Sequence, residues 1–332
     1  MMSDQKLLEI KNLRVVYETD EAVAKAVNGV SLTLNKREVL GILGETGAGK
    51  TTTALSILRL LPQYTGKVTE GEILYNGKDL LKLSSGEMQA IRGEMISMIF
   101  QDPMSSLNPV MTVGDQIKEA LFYHNESKYS SERIRQRVDE ILELVGIPSA
   151  RKNNYPHQFS GGMKQRIVIA IALACDPELL IADEPTTALD VTIQAQVLRM
   201  MKELKEKTGA SMILITHDLG IVAKMCDNVA VMYAGEIIES GSVWDIFENK
   251  AHHPYTNGLF ASLPNLNIDS KRLNPIGGLM PDPAHLPPGC KFHPRCPRRS
   301  DVCKIEAPEV FAMSPTHRIK CRLFGEKEDG LL

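Results

Sequence analysis

The segment from Gly44 to Thr51 constrains the fold of this chain more than any other part of the sequence. It reads Gly-Glu-Thr-Gly-Ala-Gly-Lys-Thr, a glycine followed by four residues and then Gly-Lys-Thr. Val39–Leu43 before it is a short apolar run typical of a buried strand, and residues 51–61 after it carry apolar side chains at helical spacing up to Pro62. Because glycines let successive backbone N–H groups converge, and a helix N-terminus adds positive potential, this order predicts a phosphate-binding loop.

The residue types in this loop suit a nucleotide with its magnesium ion. Lys50 can reach the β- and γ-phosphates, and the Thr51 hydroxyl can bind Mg²⁺. A glycine turn with a surface lysine is the alternative, and the strand before the loop and the helix after it argue against that alternative. The predicted nucleotide-binding residues of the loop are Gly44, Glu45, Thr46, Gly47, Ala48, Gly49, Lys50, Thr51 and Thr52.

Two adjacent carboxylates follow a second apolar strand. Leu179–Ala182 is the predicted strand, and Asp183 and Glu184 come directly after it. Since α/β sheets bind ligands at the carboxyl ends of their strands, we expect Asp183 to hold Mg²⁺ through water and Glu184 to polarise the attacking water. Taken alone, these residues would be explained better by a strand followed by a polar turn. The phosphate loop in the same chain favours the catalytic interpretation.

Strand and helix patterns alternate along most of the chain. Val30–Leu34 alternates strictly between apolar and polar residues, and Met212–Ile215 is a further apolar strand candidate. Residues 130–146 have the apolar spacing of a helix with one polar face. Strands that alternate with helices predict a mainly parallel α/β fold.

Length and composition exclude several classes of protein. The chain has 332 residues, 43% of them hydrophobic and 24% charged, which fits roughly two globular domains. The net charge of −3 argues against a mainly electrostatic binder of nucleic acid, and we expect no nucleic-acid partner. The longest apolar run, residues 167–175, is far shorter than the about 20 residues that a membrane-spanning helix needs. We therefore expect neither a membrane span nor a signal peptide, and a cytoplasmic location.

A second candidate anion site lies at Phe159–Met163, where Phe-Ser-Gly-Gly-Met precedes an apolar helical run. This segment resembles the LSGGQ signature of the ABC-transporter ATPase family, with Phe for Leu and Met for Gln. Other elements occur in that family's order along the chain: Tyr17 resembles its adenine-stacking aromatic residue, Gln101 its Q-loop glutamine, Ala188–Asp190 its D-loop and His217 its switch histidine. Within these motifs, the resemblance assigns the signature role to Ser160, Gly161, Gly162 and Met163, and the D-loop role to Asp190.

The resemblance implies a P-loop ABC ATPase core with an antiparallel N-terminal β-subdomain and a helical subdomain over about residues 101–176. It also implies that two ATPase domains close head to tail around two ATP molecules, so that each phosphate loop faces the partner's Ser-Gly-Gly segment. Gln101 would approach Mg²⁺ and the attacking water, and His217 would contact the γ-phosphate. Closure and reopening would then drive a membrane channel.

ABC-type ATPases also act on nucleic acid in repair and on the ribosome in translation, so a soluble ATPase of that kind is the alternative. The sequence contains no long coiled-coil insertion, no second phosphate loop and no fused transmembrane helices. These features favour a free-standing importer ATPase, peripheral at the cytoplasmic face of the cell membrane, beneath two transmembrane permease subunits.

The chain changes character near His253–Pro254. Eleven of the 18 prolines follow this point, and we predict an ATPase domain over residues 1–253 and a loop-rich extension over residues 254–332. His253–Thr256 and Leu286–Pro297 resemble the C-terminal region of ATPases from dipeptide and oligopeptide importers, a branch that also includes importers of nickel chelates and opines. The resemblance implies a heterodimer with a sister ATPase, with a homodimer as the alternative, and an indirect partnership with a peptide-binding protein.

Four of the six cysteines lie in the last 43 residues: Cys290, Cys296, Cys303 and Cys321. Thiolates suit a zinc ion or an iron–sulfur centre, but the spacing matches neither paired zinc knuckles nor the ferredoxin patterns, so it leaves the metal open. Unligated thiols in a flexible tail and a redox-sensing tail are alternatives, and the proline-rich composition favours a metal staple. The resemblance to the peptide-importer branch favours a 4Fe–4S cluster, with zinc as the second choice.

Overall fold

The computed structural model describes residues 5–124, 130–186, 189–262 and 276–325. These residues fall into two compact units. The first unit is drawn from residues 1–7, 34–39 and 82–215, and the second unit from residues 8–33, 40–81 and 216–332. Among the described helices there is none with the length and apolar character that crossing a membrane requires.

Strands and helices alternate through the described ranges. The strands are β1 (Lys6–Glu18), β2 (Val23–Asn35), β3 (Val39–Leu43), β4 (Gly66–Tyr75), β5 (Lys78–Asp79), β6 (Ile96–Ile99), β7 (Leu179–Asp183), β8 (Ser211–Thr216), β9 (Asn228–Tyr233), β10 (Glu236–Ser242), β11 (Val310–Ala312) and β12 (Arg318–Lys320). The α-helices are α1 (Lys50–Ile57), α2 (Ser85–Ile91), α3 (Pro103–Ser106), α4 (Val113–Tyr123), α5 (Ser131–Leu144), α6 (Gly161–Leu173), α7 (Val191–Thr208), α8 (Leu219–Met225), α9 (Val243–Phe247) and α10 (Pro254–Ala261).

Most of an N-terminal sheet with the strand order β2-β1-β4-β5 belongs to the second unit. Its β1–β4 and β4–β5 pairs are antiparallel. The strand predicted from alternation lies inside β2, where Val30 and Leu34 are completely buried while Ser31 and Thr33 are exposed. The antiparallel N-terminal sheet and its half-buried strand are therefore confirmed.

The second unit also contains the strand series β11-β12-β10-β9-β3. β3 and β9 are parallel, whereas β9, β10, β12 and β11 pair in antiparallel fashion. The extension after His253, predicted to be rich in loops, also contains α10, β11 and β12. β11 and β12 have three residues each, which is too short for a periodic pattern, and Ile319 of β12 is completely buried opposite Glu239 of β10.

The first unit contains three parallel strands in the order β8-β7-β6. All five residues of β7 and all six of β8 are buried, in agreement with the apolar runs that predicted them. The range predicted as a helical subdomain, about residues 101–176, contains α3, α4, α5 and α6. Because β6 and β7 are parallel neighbours, their carboxyl ends lie side by side. Gln101 follows the end of β6, and Glu184 follows the end of β7.

The helix after the phosphate loop is shorter than predicted. α1 ends at Ile57, not at Leu61, because Arg59 has a left-handed backbone with φ of 51°. The N–H of Leu60 closes this turn by donating to Leu55 O at 2.8 Å. Leu58 is buried although it lies after the last residue of α1. The apolar spacing therefore continues past the end of the helix, which is why it predicted too long a helix.

Candidate functional site

The phosphate loop connects β3 to α1 within the second unit. Gly47 and Gly49 have φ of 85° and 99°, a region in which residues with a Cβ are strained. A Cβ on Gly49 would lie 2.5 Å from Ala26 O. Only glycine fits this position, which is the condition for a backbone that can approach phosphate closely.

The side chains of the phosphate loop differ in their contacts and in their exposure. Lys50 is 6% exposed, and its Nζ donates to Gly44 O at 2.7 Å and to Glu45 O at 3.0 Å. The Tyr17 hydroxyl oxygen lies 3.2 Å from Thr52 Oγ1, so the predicted adenine-stacking residue and the start of α1 are in contact. Of the other predicted loop residues, Thr46, Gly47 and Thr51 are exposed and Gly44 and Ala48 are buried.

The predicted catalytic carboxylate and amide meet in the first unit. Gln101 Nε2 donates to Glu184 Oε2 at 3.1 Å. Glu184 has a left-handed φ of 46°, an arrangement that costs a non-glycine residue on the order of 1 kcal/mol, and its N–H is held by Ile215 O at 2.9 Å. Asp183, the last residue of β7, is 2% exposed. The structure thus brings Gln101 and Glu184 together, with Asp183 adjacent in the chain.

The signature segment forms the N-terminus of α6. Ser160 caps this helix by accepting from Met163 N at 3.4 Å, and Gly161 is exposed. A Cβ on Gly162 would lie 2.3 Å from Ile193 Cγ2 of α7, so close packing requires glycine there. The residues Phe159 and Met163, at which the sequence departs from the family pattern, both contact Arg151. Its guanidinium carbon lies 4.2 Å from the Phe159 ring centre and its Nη1 lies 3.6 Å from Met163 Sδ.

Two further predicted residues lie at element ends. Asp190 caps α7 by accepting from Ile193 N at 2.9 Å, a structural role that its sequence position did not reveal. Thr187 and Ala188 of the predicted D-loop lie outside the described residues. His217 is exposed directly after β8, at the start of the second unit's last segment.

The four C-terminal cysteines line one cavity of about 200 Å³ in the second unit, together with His293, Arg298 and Arg322. Burial raises the pKa of the Cys290 thiol to about 11, and repulsion between the four thiolates acts in the same direction. Burial likewise raises the pKa values of Cys296 and Cys321. Thiolates are soft ligands that suit zinc or an iron–sulfur centre, so the residue types that line this cavity fit such a centre.

Sequence reasoning missed two side chains that hold the phosphate loop. Arg295 donates from Nη1 and Nη2 to the two carboxylate oxygens of Glu45, at 2.8 and 3.1 Å. The Tyr255 hydroxyl accepts from Glu45 N at 2.9 Å. The positive charge of Arg295 suggests that it pairs with some carboxylate, but no local pattern connects it to Glu45, which lies 250 residues earlier in the chain.

Sequence reasoning also missed a buried polar cluster formed by Glu239, His252 and His317. Glu239 Oε1 lies 2.8 Å from His252 Nδ1 and 2.9 Å from His317 Nε2. His252 Nε2 lies 2.7 Å from Asn249 O, so both ring nitrogens face acceptors and the imidazolium form satisfies both. Asn249 Nδ2 faces His317 Nδ1 at 3.3 Å. The cluster links β10 to the segment before β12.

Comparison with solved structures defines the class of fold. The chain is similar to the dimeric ATP-binding cassette MJ0796 in a post-hydrolysis state bound to ADP and Pi, with a TM-score of 0.64 and 29% identity over 71% of this chain and 99% of that one. It is also similar to cbiO1 from Clostridium perfringens, part of the ABC transporter complex cbiONQ. Here too the TM-score is 0.64, with 30% identity over 74% of this chain and 92% of that one. The fold is therefore that of an ABC ATPase.

Sequence comparison defines the family. Residues 27–187 match the ABC transporter family, and residues 238–303 match the family described as the oligopeptide/dipeptide transporter C-terminal region. The chain is 52% identical to the dipeptide transport ATP-binding protein DppD of Bacillus subtilis (strain 168), over 98% of this chain and 97% of that protein. It is 50% identical to the oligopeptide transport ATP-binding protein OppD of the same organism, over 96% and 89%. The chain therefore belongs to the ATP-binding proteins of the ABC transporter family.

Proposed function

We propose that this ATPase drives the import of short peptides through a membrane transporter. The observation that carries the proposal is the similarity to peptide-transport ATP-binding proteins over almost the entire chain, including the C-terminal region. Nickel chelates and opines are the second candidates for the cargo, because the branch that this chain resembles also includes importers of those compounds.

The proposed catalytic groups are Glu184, Gln101 and His217. Glu184 orients and polarises the attacking water, and the hydrogen bond from Gln101 supports this role because it fixes one carboxylate oxygen. His217 contacts the γ-phosphate, which its exposed position after β8 permits. Lys50 and the amides of the phosphate loop bind the phosphates, and Tyr17 packs against the adenine.

The proposed Mg²⁺ ligands are Thr51, Gln101 and Asp183, each of which offers the oxygen donors that this ion prefers. Bound Mg²⁺ would neutralise charge on the phosphate oxygens. The signature residues Ser160, Gly161, Gly162 and Met163, with Asp190, face the ATP of a partner ATPase. The capped N-terminus of α6 supports this role, since its first N–H groups are suited to an anion.

The proposed assembly contains a sister ATPase, two transmembrane permease subunits and, indirectly, a peptide-binding protein. The ATPase lies peripherally at the cytoplasmic face of the membrane. A homodimer is the alternative to the sister-ATPase heterodimer. In the proposed organisation, residues 1–253 form the ATPase domain with its helical part at about 101–176, and residues 254–332 form the extension.

The four cysteines of the extension are proposed to hold a 4Fe–4S cluster, with zinc as the alternative. Their common cavity supports a bound metal centre. When present, the centre would join four segments of a chain that has few large apolar side chains in this region. A redox-sensing role would require ATP turnover to change on exposure to peroxide.

A reconstituted transporter tests the proposed function. The chain is assembled with its permease subunits and sister ATPase in proteoliposomes, and uptake of a labelled dipeptide is compared with uptake of a nickel chelate and an opine. ATP-dependent dipeptide uptake that is lost in Lys50→Ala supports the proposal. Uptake of only nickel or opine overturns the cargo assignment. ATP turnover stimulated by RNA or ribosomes, without response to the permeases, would favour the soluble ATPase instead.

A further inference from the structure

Glu45, the second residue of the phosphate loop, is held through its backbone and side chain at once. Its N–H donates to the Tyr255 hydroxyl, its C=O accepts from Lys50 Nζ, and its carboxylate accepts two hydrogen bonds from Arg295. Two of these partners, Tyr255 and Arg295, lie in the last part of the chain, beyond the ABC transporter match that ends at residue 187.

Arg295 is fixed in one orientation. Its side chain is 4% exposed, whereas that of Glu45 is 35% exposed. Besides the two bonds to Glu45, Nε donates to Gly277 O at 2.9 Å and Nη2 to Ile276 O at 3.3 Å. A planar guanidinium held in this way binds a carboxylate in a single geometry, so it sets the position of Glu45 as well as pairing its charge.

Tyr255 is fixed by packing. It is completely buried, and its ring centre lies 4.7 Å from that of Tyr233 and 5.4 Å from that of Phe292. Two further contacts bring residues 276–285 to the same region: Lys25 N donates to Pro283 O at 2.8 Å, and a Cβ on Gly47 would lie 3.9 Å from Met280 Cγ. The C-terminal extension therefore borders the phosphate loop at Glu45 and at Gly47.

From this network we infer that Arg295 and Tyr255 are positioning residues for the nucleotide: they hold the phosphate loop in its binding conformation through Glu45. A nucleotide binds more tightly to a loop that is already ordered, because no conformational entropy of the loop is then lost on binding. The inference rests on the proposed ATPase function and requires no metal at the cysteines.

The test measures binding of the fluorescent nucleotide mant-ADP to the full chain. Arg295→Gln is expected to weaken binding about tenfold, and Arg295→Lys less, because an ammonium keeps the charge without the two-pronged geometry. Combining Arg295→Gln with Glu45→Gln should cost little more than either change alone. The control is Arg14→Gln, which removes an exposed pair with Glu70 at 3.1 Å and should leave binding unchanged.

Tyr255→Phe keeps the ring and removes the hydroxyl that accepts from Glu45 N, and about threefold weaker binding is expected. In ATP turnover, KM should rise in both variants while kcat at saturating ATP stays within about twofold. Unchanged mant-ADP binding in Tyr255→Phe and in folded Arg295→Gln would overturn the inference, and Tyr255→Phe alone decides it if Arg295→Gln does not fold. A wild-type chain that does not bind mant-ADP would contradict the proposed ATPase function instead.

Discussion

The amide of Gln101 donates to the carboxylate of Glu184 across 3.1 Å, although the two residues lie 83 positions apart. They meet because β6 and β7 are parallel neighbours, with Ile99 opposite Ala182, so the loops that leave both strands begin at the same edge. Glu184 has a left-handed backbone at this point, with φ of 46°. This arrangement fixes one oxygen of the Glu184 carboxylate.

Glu184→Gln is expected to lower ATP turnover by roughly 100-fold or more, because the amide cannot polarise water as a carboxylate does. Nucleotide binding should persist, and with ATP present a stable dimer should accumulate. Phosphate release and size-exclusion chromatography measure the two effects. Glu203→Gln, at an exposed glutamate of α7 that pairs with Arg199, is the control and should keep full turnover. Unchanged turnover in Glu184→Gln would remove this residue from the catalytic role.

Gly162→Ala is expected to destabilise the protein by about 1–3 kcal/mol, because the added methyl would lie 2.3 Å from Ile193 Cγ2. Gly161→Ala is the matched control: its methyl would lie 4.0 Å from the nearest atom, Leu189 Cδ2, so stability should be nearly unchanged. Urea unfolding measures both variants. Adding Ile193→Ala to Gly162→Ala should restore part of the loss, and equal stability of the two alanine variants would show that α6 and α7 are not closely packed.

The Glu239 cluster predicts a pH-dependent stability. Burial alone would lower the pKa of His252, but the hydrogen bond to Glu239, the negative charge of Glu239 and the hydrogen bond to Asn249 O together outweigh burial and raise the pKa above 6.5. Burial alone would raise the pKa of Glu239, yet hydrogen bonds from His252, His317 and the backbone N–H of His253 bring it below 4.5. The contribution of His252 is therefore complete below pH 6.5 and lost as the pH rises through its folded pKa. That of Glu239 is complete above pH 4.5 and lost on acidification.

His252→Gln should accordingly cost roughly 1–3 kcal/mol near pH 6, with a smaller loss near pH 9, since the glutamine cannot carry the proton. Urea unfolding at both pH values gives the two differences. The control is His285→Gln, at a largely exposed histidine that pairs with Asp282, and it should have little effect at either pH. A loss that is equal at both pH values would mean that His252 is neutral in the folded protein.

Anaerobic purification should yield about four iron and four sulfide per chain with broad absorption near 400 nm if the cysteines hold a 4Fe–4S cluster. Cys296→Ser should lose this signal. Cys175→Ser should keep it, because Cys175 lies in the first unit, outside the cysteine-lined cavity. Stoichiometric zinc would identify the alternative centre, and a folded chain with neither metal would exclude both.

Several elements of the candidate site were predictable because their signals are local. Glycine spacing, one apolar strand and one helical stripe identified the phosphate loop, and a second apolar strand located Asp183 and Glu184. Predictions weakened where an element was short or ended by backbone conformation. The three-residue strands β11 and β12 show no periodicity, and the left-handed Arg59 ends α1 inside an apolar pattern that continues.

The sequence by itself located the phosphate loop, the paired carboxylates and the cysteines, since residue types and spacing mark them, and the resemblance to the ABC-transporter ATPases marked the signature segment. Only the tertiary structure decided that Arg295 clamps Glu45, that Ile193 requires glycine at 162, and that Glu239 is buried with two histidines. Those contacts join residues that are distant in the chain. Their energies depend on distance, burial and orientation, which no spacing in one sequence contains.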